Sequence, residues 1–274
     1  MFKTLYRAGL TAFALVALAW PGQADARSLD DIIKDGTIRV GIHPNLPGLS
    51  EYNTKNEFEG MDIDTANMIA EALGVKAVGV KADLREGKAA AESLWAQFAE
   101  AARAETGSAA LDILVNNAGI APALPLKQTD EAVFDAVMAI NYKAPFFLIQ
   151  AAADHIRDNG RIINVSTGFT RIAAPTHPAY AASKGALETL TLALAPEFAT
   201  RGITVNAVLP GVTETDMNAE WLASPDARAG AEALSVFSRV GKPEDVADVI
   251  AFLASNEARW TTGQMIDATG GARI

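Results

Sequence analysis

The feature that most constrains the fold is an alternation of short apolar segments with longer helical ones. Short segments that are apolar throughout are typical of parallel strands buried between helices. The sequence therefore predicts an α/β fold, with a doubly wound, Rossmann-like parallel sheet and helices on both faces. Strands are predicted at 37–42, 75–80, 111–117, 161–166, 203–210 and 264–269, and helices at 61–74, 87–105, 130–157, 178–200 and 243–255.

Composition and charge exclude several classes of function. Half of the 274 residues are apolar, which is enough for a sizeable core. A net charge of -10 disfavours nucleic acid as a partner, because an acidic surface repels the phosphate backbone. The chain has no Cys, so disulfides and thiolate nucleophiles are excluded. No metal site is predicted either, since His43, His155 and His177 match no metal-ligand spacing.

The first 26 residues are typical of a secretory signal peptide. "MFKTLYR" is cationic, "AGLTAFALVALAW" is apolar, and small residues surround a cleavage point before Arg27. The alternatives are a membrane anchor or a buried helix, but about 20 apolar residues are needed to cross a bilayer. Pro21 and Gly22 end this run early. We expect a periplasmic or secreted protein without stable membrane insertion, whereas the rest of the chain alone suggests the cytoplasm.

Tyr180 and Lys184, four residues apart, form the most informative chemical pair. Pro178 suits the first turn of a helix, so both side chains are predicted on one side of that helix near its N-terminus. The positive helix end and the ammonium both favour the phenolate, which predicts a lowered pKa for Tyr180. Such a phenol can pass a proton to an alkoxide or take one from an alcohol. The alternative for so short a pattern is a solvated surface pair.

Other motifs occur in a fixed order around this pair. They are "NNAG" at 116–119, Asn141, Ser166 with Thr167, and "PG" at 210–211. All except Asn141 fall near the carboxyl ends of predicted strands, where open parallel sheets bind ligands. Over about residues 79–274 the chain resembles the short-chain dehydrogenase/reductase family, most of all its acyl-carrier-protein-reductase-type branch.

The resemblance implies an oxidoreductase that uses NAD or NADP to move a hydride between nicotinamide and a small-molecule carbonyl or alcohol. Tyr180 would be the general acid/base, and Lys184 would lower its pKa and bind the nicotinamide ribose. Thr167 stands at the family's serine position by spacing, with Ser166 just before it, so either could polarise the substrate carbonyl. The resemblance also implies a homodimer or homotetramer that pairs the helices at 130–157 and 178–200.

Asn141 would complete a proton relay through a water held on its main-chain carbonyl. The residues support this independently, because Pro145 lacks the N–H that would otherwise bond that carbonyl in a helix. The alternative interpretation of Pro145 is a plain helix kink.

The resemblance also implies a set of cofactor contacts. Asp83 would face the adenine, the adenosine side would be lined by the loop after one strand, and the carboxamide would be held after another. Segment 217–239 is interpreted as a mobile substrate lid or, alternatively, a surface helical excursion. The implied cofactor residues are Asp83, Asn117, Ala118, Gly119, Tyr180, Lys184, Pro210, Gly211, Thr213 and Thr215.

The sequence lacks the family's Gly-rich phosphate loop after the first strand. In place of T-G-x-x-x-G-x-G it has "GIHPNLPGLSEYNTKNEFEGMD", with prolines that donate no hydrogen bond and acidic residues that repel phosphate. Residues 1–78 instead resemble the signal peptide and first βαβ unit of periplasmic amino-acid-type solute-binding proteins. We therefore predict a join near residues 75–80, with residues 27–274 forming one compact domain. The alternative function is an exported, catalytically inactive chimeric protein.

Overall fold

The computed structural model describes residues 78–272 and two short strands, β1 (Glu51–Tyr52) and β2 (Phe58–Glu59). These two strands pair antiparallel, with Glu51 opposite Glu59. The predicted signal peptide, the strand at 37–42, the helix at 61–74 and most of the predicted join lie outside the described residues. The predicted strand at 75–80 is wrong for residues 78–80, which are described and do not lie in a strand.

The remainder of the described chain alternates helices with parallel strands, as predicted. Four strands lie in the order β3-β4-β5-β6 and all pair parallel. The elements in chain order are α1 (Lys88–Thr106), β3 (Leu111–Asn116), α2 (Glu131–Met138), a π-helical turn (Ala139–Lys143), α3 (Ala144–Ala152), β4 (Ile156–Val165), α4 (Pro178–Ala199), β5 (Thr204–Pro210), α5 (Asp216–Leu222), α6 (Pro225–Glu232), α7 (Pro243–Ala254) and β6 (Met265–Ala268).

The sheet is covered on both faces because neighbouring strand residues point to opposite sides. Ile162 packs with α3 and α4 side chains such as Leu187, whereas Ile163 packs with α7 side chains such as Leu253. All four are almost fully buried. The two hydrophobic layers confirm the predicted doubly wound arrangement for the described part of the chain.

The predicted helix 130–157 is too long, since α3 ends at Ala152 and β4 begins at Ile156. The carbonyl of His155 accepts a hydrogen bond from the N–H of Leu111, which draws the chain into the sheet. The start of β4 was not predicted because Asn159 and Gly160 favour turns, and Asn159 has a positive φ of 62°. Pairing with β3 is irregular there, with a register shift between Leu111 and Ile113.

The helical stretch Glu131–Ala152 is long and apolar enough to cross a membrane by length and composition alone. In the fold, however, it packs against the sheet and α4. Ile149 and Ala152 belong to the main hydrophobic cluster, and Asn141 is fully buried in the middle of the stretch. These contacts indicate the core helix of a globular domain.

Segment 217–239 contains α6 and most of α5, which pack around a small hydrophobic core. Leu222, Ala231 and Val240 are buried together, and Val212 packs against them. This arrangement matches the predicted helical excursion; a lid function for it remains a prediction.

A buried ion pair joins β3 to β4 near the amino ends of both strands. Arg157 Nη1 lies 2.7 Å and 2.8 Å from the two carboxylate oxygens of Asp112, and both side chains are largely shielded from solvent. We expect Asp112→Ala to lower the free energy of unfolding by about 3 kcal/mol, because it leaves the guanidinium buried without its counter-charge. Urea denaturation measures this loss, with Asp154→Ala at an exposed position as the control. Equal stability of the two variants would contradict it.

Candidate active site

Tyr180 and Lys184 both lie on the first two turns of α4, as predicted. Pro178 occupies the first turn, where its missing N–H costs no helical hydrogen bond. Lys184 is 3% exposed, and its Nζ donates a 2.6 Å hydrogen bond to the carbonyl of Val165 at the end of β4. The surface-pair alternative is therefore wrong, because the ammonium points into the protein toward the carboxyl end of the sheet.

The structure separates the two candidate hydroxyls. The side chain of Thr167 lies close enough to Tyr180 to favour the phenolate by hydrogen bonding and so to act against a rise in its pKa. Ser166 faces elsewhere, since its Oγ donates a 2.6 Å hydrogen bond to Oε1 of Glu188. Both hydroxyls are buried, but Thr167 is the one brought together with Tyr180.

The predicted lowering of the Tyr180 pKa is wrong in this structure. Burial raises the pKa of the phenol above its usual value of 10, and the hydrogen bond with Thr167 opposes that rise. Burial lowers the pKa of Lys184 to about 8. Burial outweighs the hydrogen bond with Thr167, so the pKa of the phenol stays above its usual value and the phenol is a protonated acid at neutral pH.

Asn141 lies in the π-helical turn and joins three parts of the site. Its Nδ2 donates to the carbonyl of Ile120 at 2.9 Å and to Ser183 Oγ at 3.0 Å, while its Oδ1 accepts from the N–H of Ile120. Ser183 Oγ in turn donates to the carbonyl of Tyr180. Single π-helical turns often mark functional positions, and Pro145 is the second residue of the helix that follows this one.

The loop after β3 approaches Lys184 closely at Gly119. A Cβ at Gly119 would lie 3.2 Å from both Lys184 Nζ and Asn141 Oδ1, so the absence of a side chain permits this approach. Asn117 and Ala118 precede Gly119 in the same loop. This part of the predicted cofactor set therefore lies together with Lys184 and Asn141.

The segment after β5 is held against the end of β6. A Cβ at Gly211 would lie 2.8 Å from the carbonyl oxygen of Thr269, so a glycine suits this close contact. Thr213 Oγ1 donates to the carbonyl of Gly211, which follows Pro210. Thr215 is the residue preceding α5.

Asp83 lies beside the loop after β3, one residue before Leu84, which packs with Ala118 and Ile120. Its carboxylate accepts hydrogen bonds from the backbone and the guanidinium of Arg85. The structure thus places Asp83 at the predicted edge of the site, where its carboxylate binds the nearby Arg85.

Three residues near the site were missed by the sequence analysis. The rings of Phe169 and His177 lie 6.4 Å and 6.3 Å from the Tyr180 ring, and burial lowers the pKa of His177. No spacing signal pointed to them. Glu188 did carry one, because it follows Tyr180 and Lys184 at successive intervals of four residues on the same helix face.

A cavity of about 350 Å³ lies beyond Gly211, between the end of β6 and the segment after α6. Phe237, Arg239 and Asp267 line it, and neither Tyr180 nor Lys184 does. Gly211 therefore borders both this cavity and the segment that carries Thr213.

Comparison with known proteins identifies the family. The family model described as enoyl-(acyl carrier protein) reductase matches residues 58–273. The chain belongs to the short-chain dehydrogenase/reductase family. The match begins before residue 79, so the predicted join near residues 75–80 lies within the matched range.

Curated relatives cover most of the chain. The 3beta-hydroxysteroid dehydrogenase 1 of Eggerthella lenta is 40% identical over 225 residues, covering 81% of this chain and 83% of the relative. Versicolorin reductase 1 of Aspergillus parasiticus is 36% identical over 213 residues, covering 74% of this chain and 79% of the relative.

Solved structures agree with the fold. The angucycline C-6 ketoreductase LanV with bound NADP has a TM-score of 0.74 and 38% identity, over 89% of this chain and 91% of that one. The promiscuous reductase LugOII has a TM-score of 0.76 and 35% identity, over 90% and 93%. The NADP bound to LanV belongs to the predicted cofactor class, NAD or NADP.

Proposed function

We propose that this chain is an NAD(P)-dependent oxidoreductase that interconverts a ketone and an alcohol through Tyr180, Thr167, Lys184 and Asn141. The observation that carries the proposal is the convergence of Tyr180, Thr167 and the buried ammonium of Lys184 at the carboxyl end of β4, where Lys184 Nζ donates to the carbonyl of Val165. Two hydroxyls that meet at a strand end can bind one carbonyl oxygen together.

The residues around Lys184 fit a nicotinamide cofactor. The ammonium has three donors, one of which goes to Val165, so it can also bind ribose hydroxyls. Gly119 lets the loop after β3 lie close to the Lys184 ammonium, and Gly211 lets the segment after β5 lie close to the backbone of Thr269. The cofactor, when bound, supplies or accepts the hydride. Asn117, Ala118 and Asp83 would hold its adenosine side, and Pro210, Thr213 and Thr215 its carboxamide.

Tyr180 would deliver the proton. Because burial keeps its pKa high, the phenol is protonated at neutral pH and can donate to an oxygen that gains negative charge. Thr167 would hold that same oxygen by a second hydrogen bond. Lys184 follows Tyr180 by one helical turn, and Asn141 is linked to Tyr180 through Ser183. A water on the Asn141 carbonyl would return a proton to the phenol.

The substrate class that the site favours is a ketone on a flat ring system. Phe169 and His177 place two rings beside Tyr180, and aromatic rings favour offset or edge contacts with other flat rings. The relatives named for a hydroxysteroid and an angucycline support this choice.

The proposal is tested by the oxidation of NADPH and NADH, followed at their nicotinamide absorbance, with a panel of fused-ring and short aliphatic ketones. We expect turnover with at least one ketone, and values of kcat/KM at least about tenfold higher for fused-ring substrates. Fluorescence titration with both cofactors is the parallel measurement. The proposed function fails if neither cofactor binds at millimolar concentration.

A second candidate is an exported protein without catalytic activity. The sequence of residues 1–78 favours it, since it pairs a signal-like start with prolines and acids where the phosphate loop is expected. The same cofactor titration decides between the two candidates. Stabilisation by amino acids in a thermal-shift screen, together with no cofactor binding, would support the second.

A further inference from the structure

Glu188 is a buried carboxylate to which the proposed chemistry gives no role. It lies on α4 one turn after Lys184 and is 6% exposed. Burying a carboxylate is costly unless its oxygens are paired with donors, so its partners indicate what it is for.

The two carboxylate oxygens of Glu188 bind two points of one short segment. Oε1 accepts the 2.6 Å hydrogen bond from Ser166, and Oε2 forms a 3.0 Å ion pair with Arg171 Nη2. Hydrogen bonds to ionised groups are shorter and about twice as strong as neutral ones. We call residues 166–171 the threonine turn. The contacts of Glu188 with Ser166 and Arg171 therefore hold both ends of this turn against α4.

Thr167 lies inside the threonine turn, between the two residues that Glu188 contacts. Its Oγ1 accepts a 3.3 Å hydrogen bond from the N–H of Phe169, and the N–H of Arg171 donates to the carbonyl of Gly168. Ser166 is also tied to β5, since its N–H donates to the carbonyl of Val208. The direction of the Thr167 hydroxyl thus depends on where Ser166 and Arg171 are held.

We propose that Glu188 is a positioning residue for the reaction: its carboxylate holds the threonine turn so that the Thr167 hydroxyl meets the phenol of Tyr180. The inference rests on the proposed function. Tyr180, Lys184 and Glu188 would then share one face of α4, with the proton donor, the ammonium and the positioning carboxylate at successive turns. Ser166 acts in this arrangement as a link to Thr167.

A kinetic test compares Glu188→Ala with Glu188→Gln. The Ala variant loses both the hydrogen bond from Ser166 and the ion pair with Arg171. The Gln variant keeps an acceptor for Ser166 and loses only the charge that faces Arg171. We expect kcat to fall by about tenfold to a hundredfold for Ala and less for Gln, with KM changed by less than about threefold. Ser166→Ala should lower kcat by about tenfold, and the double variant should be no worse than Glu188→Ala. Glu197→Ala, at an exposed position on the same helix, is the matched control.

A second readout needs no turnover. The chain has four tyrosines, which can be replaced by 3-fluorotyrosine and titrated by fluorine NMR, with Tyr180→Phe identifying the Tyr180 signal. We expect Tyr180 to ionise at higher pH in Glu188→Ala, because a displaced Thr167 no longer stabilises the phenolate. His177 and Lys184 are unchanged in the variant, whereas the loss of the Glu188 charge beside Arg171 by itself favours the phenolate and acts in the opposite direction. A rise in the pKa of Tyr180 therefore reports the displacement of Thr167.

The two readouts separate the possible failures. A folded Glu188→Ala variant with wild-type kcat and an unshifted Tyr180 titration overturns the positioning role. A loss of thermal stability with both readouts unchanged also overturns it, because that is the result of a purely structural ion pair. If the wild-type protein reduces no ketone but the titration still shifts, the proposed function fails and the positioning of Tyr180 by Glu188 is supported.

Discussion

Tyr180→Phe is expected to lower kcat/KM by about a hundredfold to ten-thousandfold, because it removes the proton donor. The substitution keeps the aromatic ring, and with it the contacts to Phe169 and His177. The lost hydroxyl is the partner of Thr167, and without it the substrate oxygen receives no proton from the protein. The fold should remain intact.

The effect is measured in steady-state assays of cofactor oxidation with the best ketone of the panel. Tyr142→Phe is the matched control. Tyr142 is a partly buried tyrosine that packs against Phe146, and it is not one of the two residues, Tyr180 and Thr167, whose hydroxyls are proposed to bind the substrate. Circular dichroism verifies that both variants fold. A Tyr180→Phe variant with more than about a tenth of wild-type kcat/KM would show that another group donates the proton.

Thr167→Val is expected to lower kcat by about a hundredfold to a thousandfold. Removing one hydrogen-bond donor from a site that stabilises developing negative charge has an effect of this size. Valine has nearly the same shape as threonine, so packing changes little while the hydroxyl is lost. The reason for choosing Thr167 is structural, since its hydroxyl meets Tyr180 and that of Ser166 meets Glu188.

Two further variants complete this test. Thr167→Ser keeps the hydroxyl and should recover most of the loss, although the smaller side chain fixes its rotamer less strongly. Ser166→Ala should lower kcat much less than Thr167→Val does. A larger loss for Ser166→Ala would mean that Ser166 is the group that binds the substrate carbonyl.

Most of the described fold could be predicted from the sequence, because the signals for it are local. Short and largely apolar strands such as β5 are typical of a parallel sheet that is buried on both faces. Pro178 marked the start of α4 correctly for the same reason, since its effect on the first turn depends only on its own ring. The end of α3 was not predictable, because it depends on a hydrogen bond between His155 and Leu111, far apart in the chain.

The candidate site was predicted as a set of residues, and the structure decided how they are arranged. The spacing of Tyr180 and Lys184 placed them on one helix face. It could not show that burial raises the pKa of the phenol, because burial depends on packing around it. Nor could it choose between Ser166 and Thr167, which are neighbours with equivalent hydroxyls.

The sequence by itself determined the alternating α/β architecture, the strand ends that carry the polar residues, and the shared helix face of Tyr180 and Lys184. These follow from periodicity and from short-range sterics, which act between residues close in the chain. The tertiary structure alone decided that Thr167 lies beside Tyr180, that Glu188 binds both ends of the threonine turn, and that Lys184 is buried. Hydrogen bonds and burial between β4 and α4 depend on distances in space, and no local pattern in the chain encodes them.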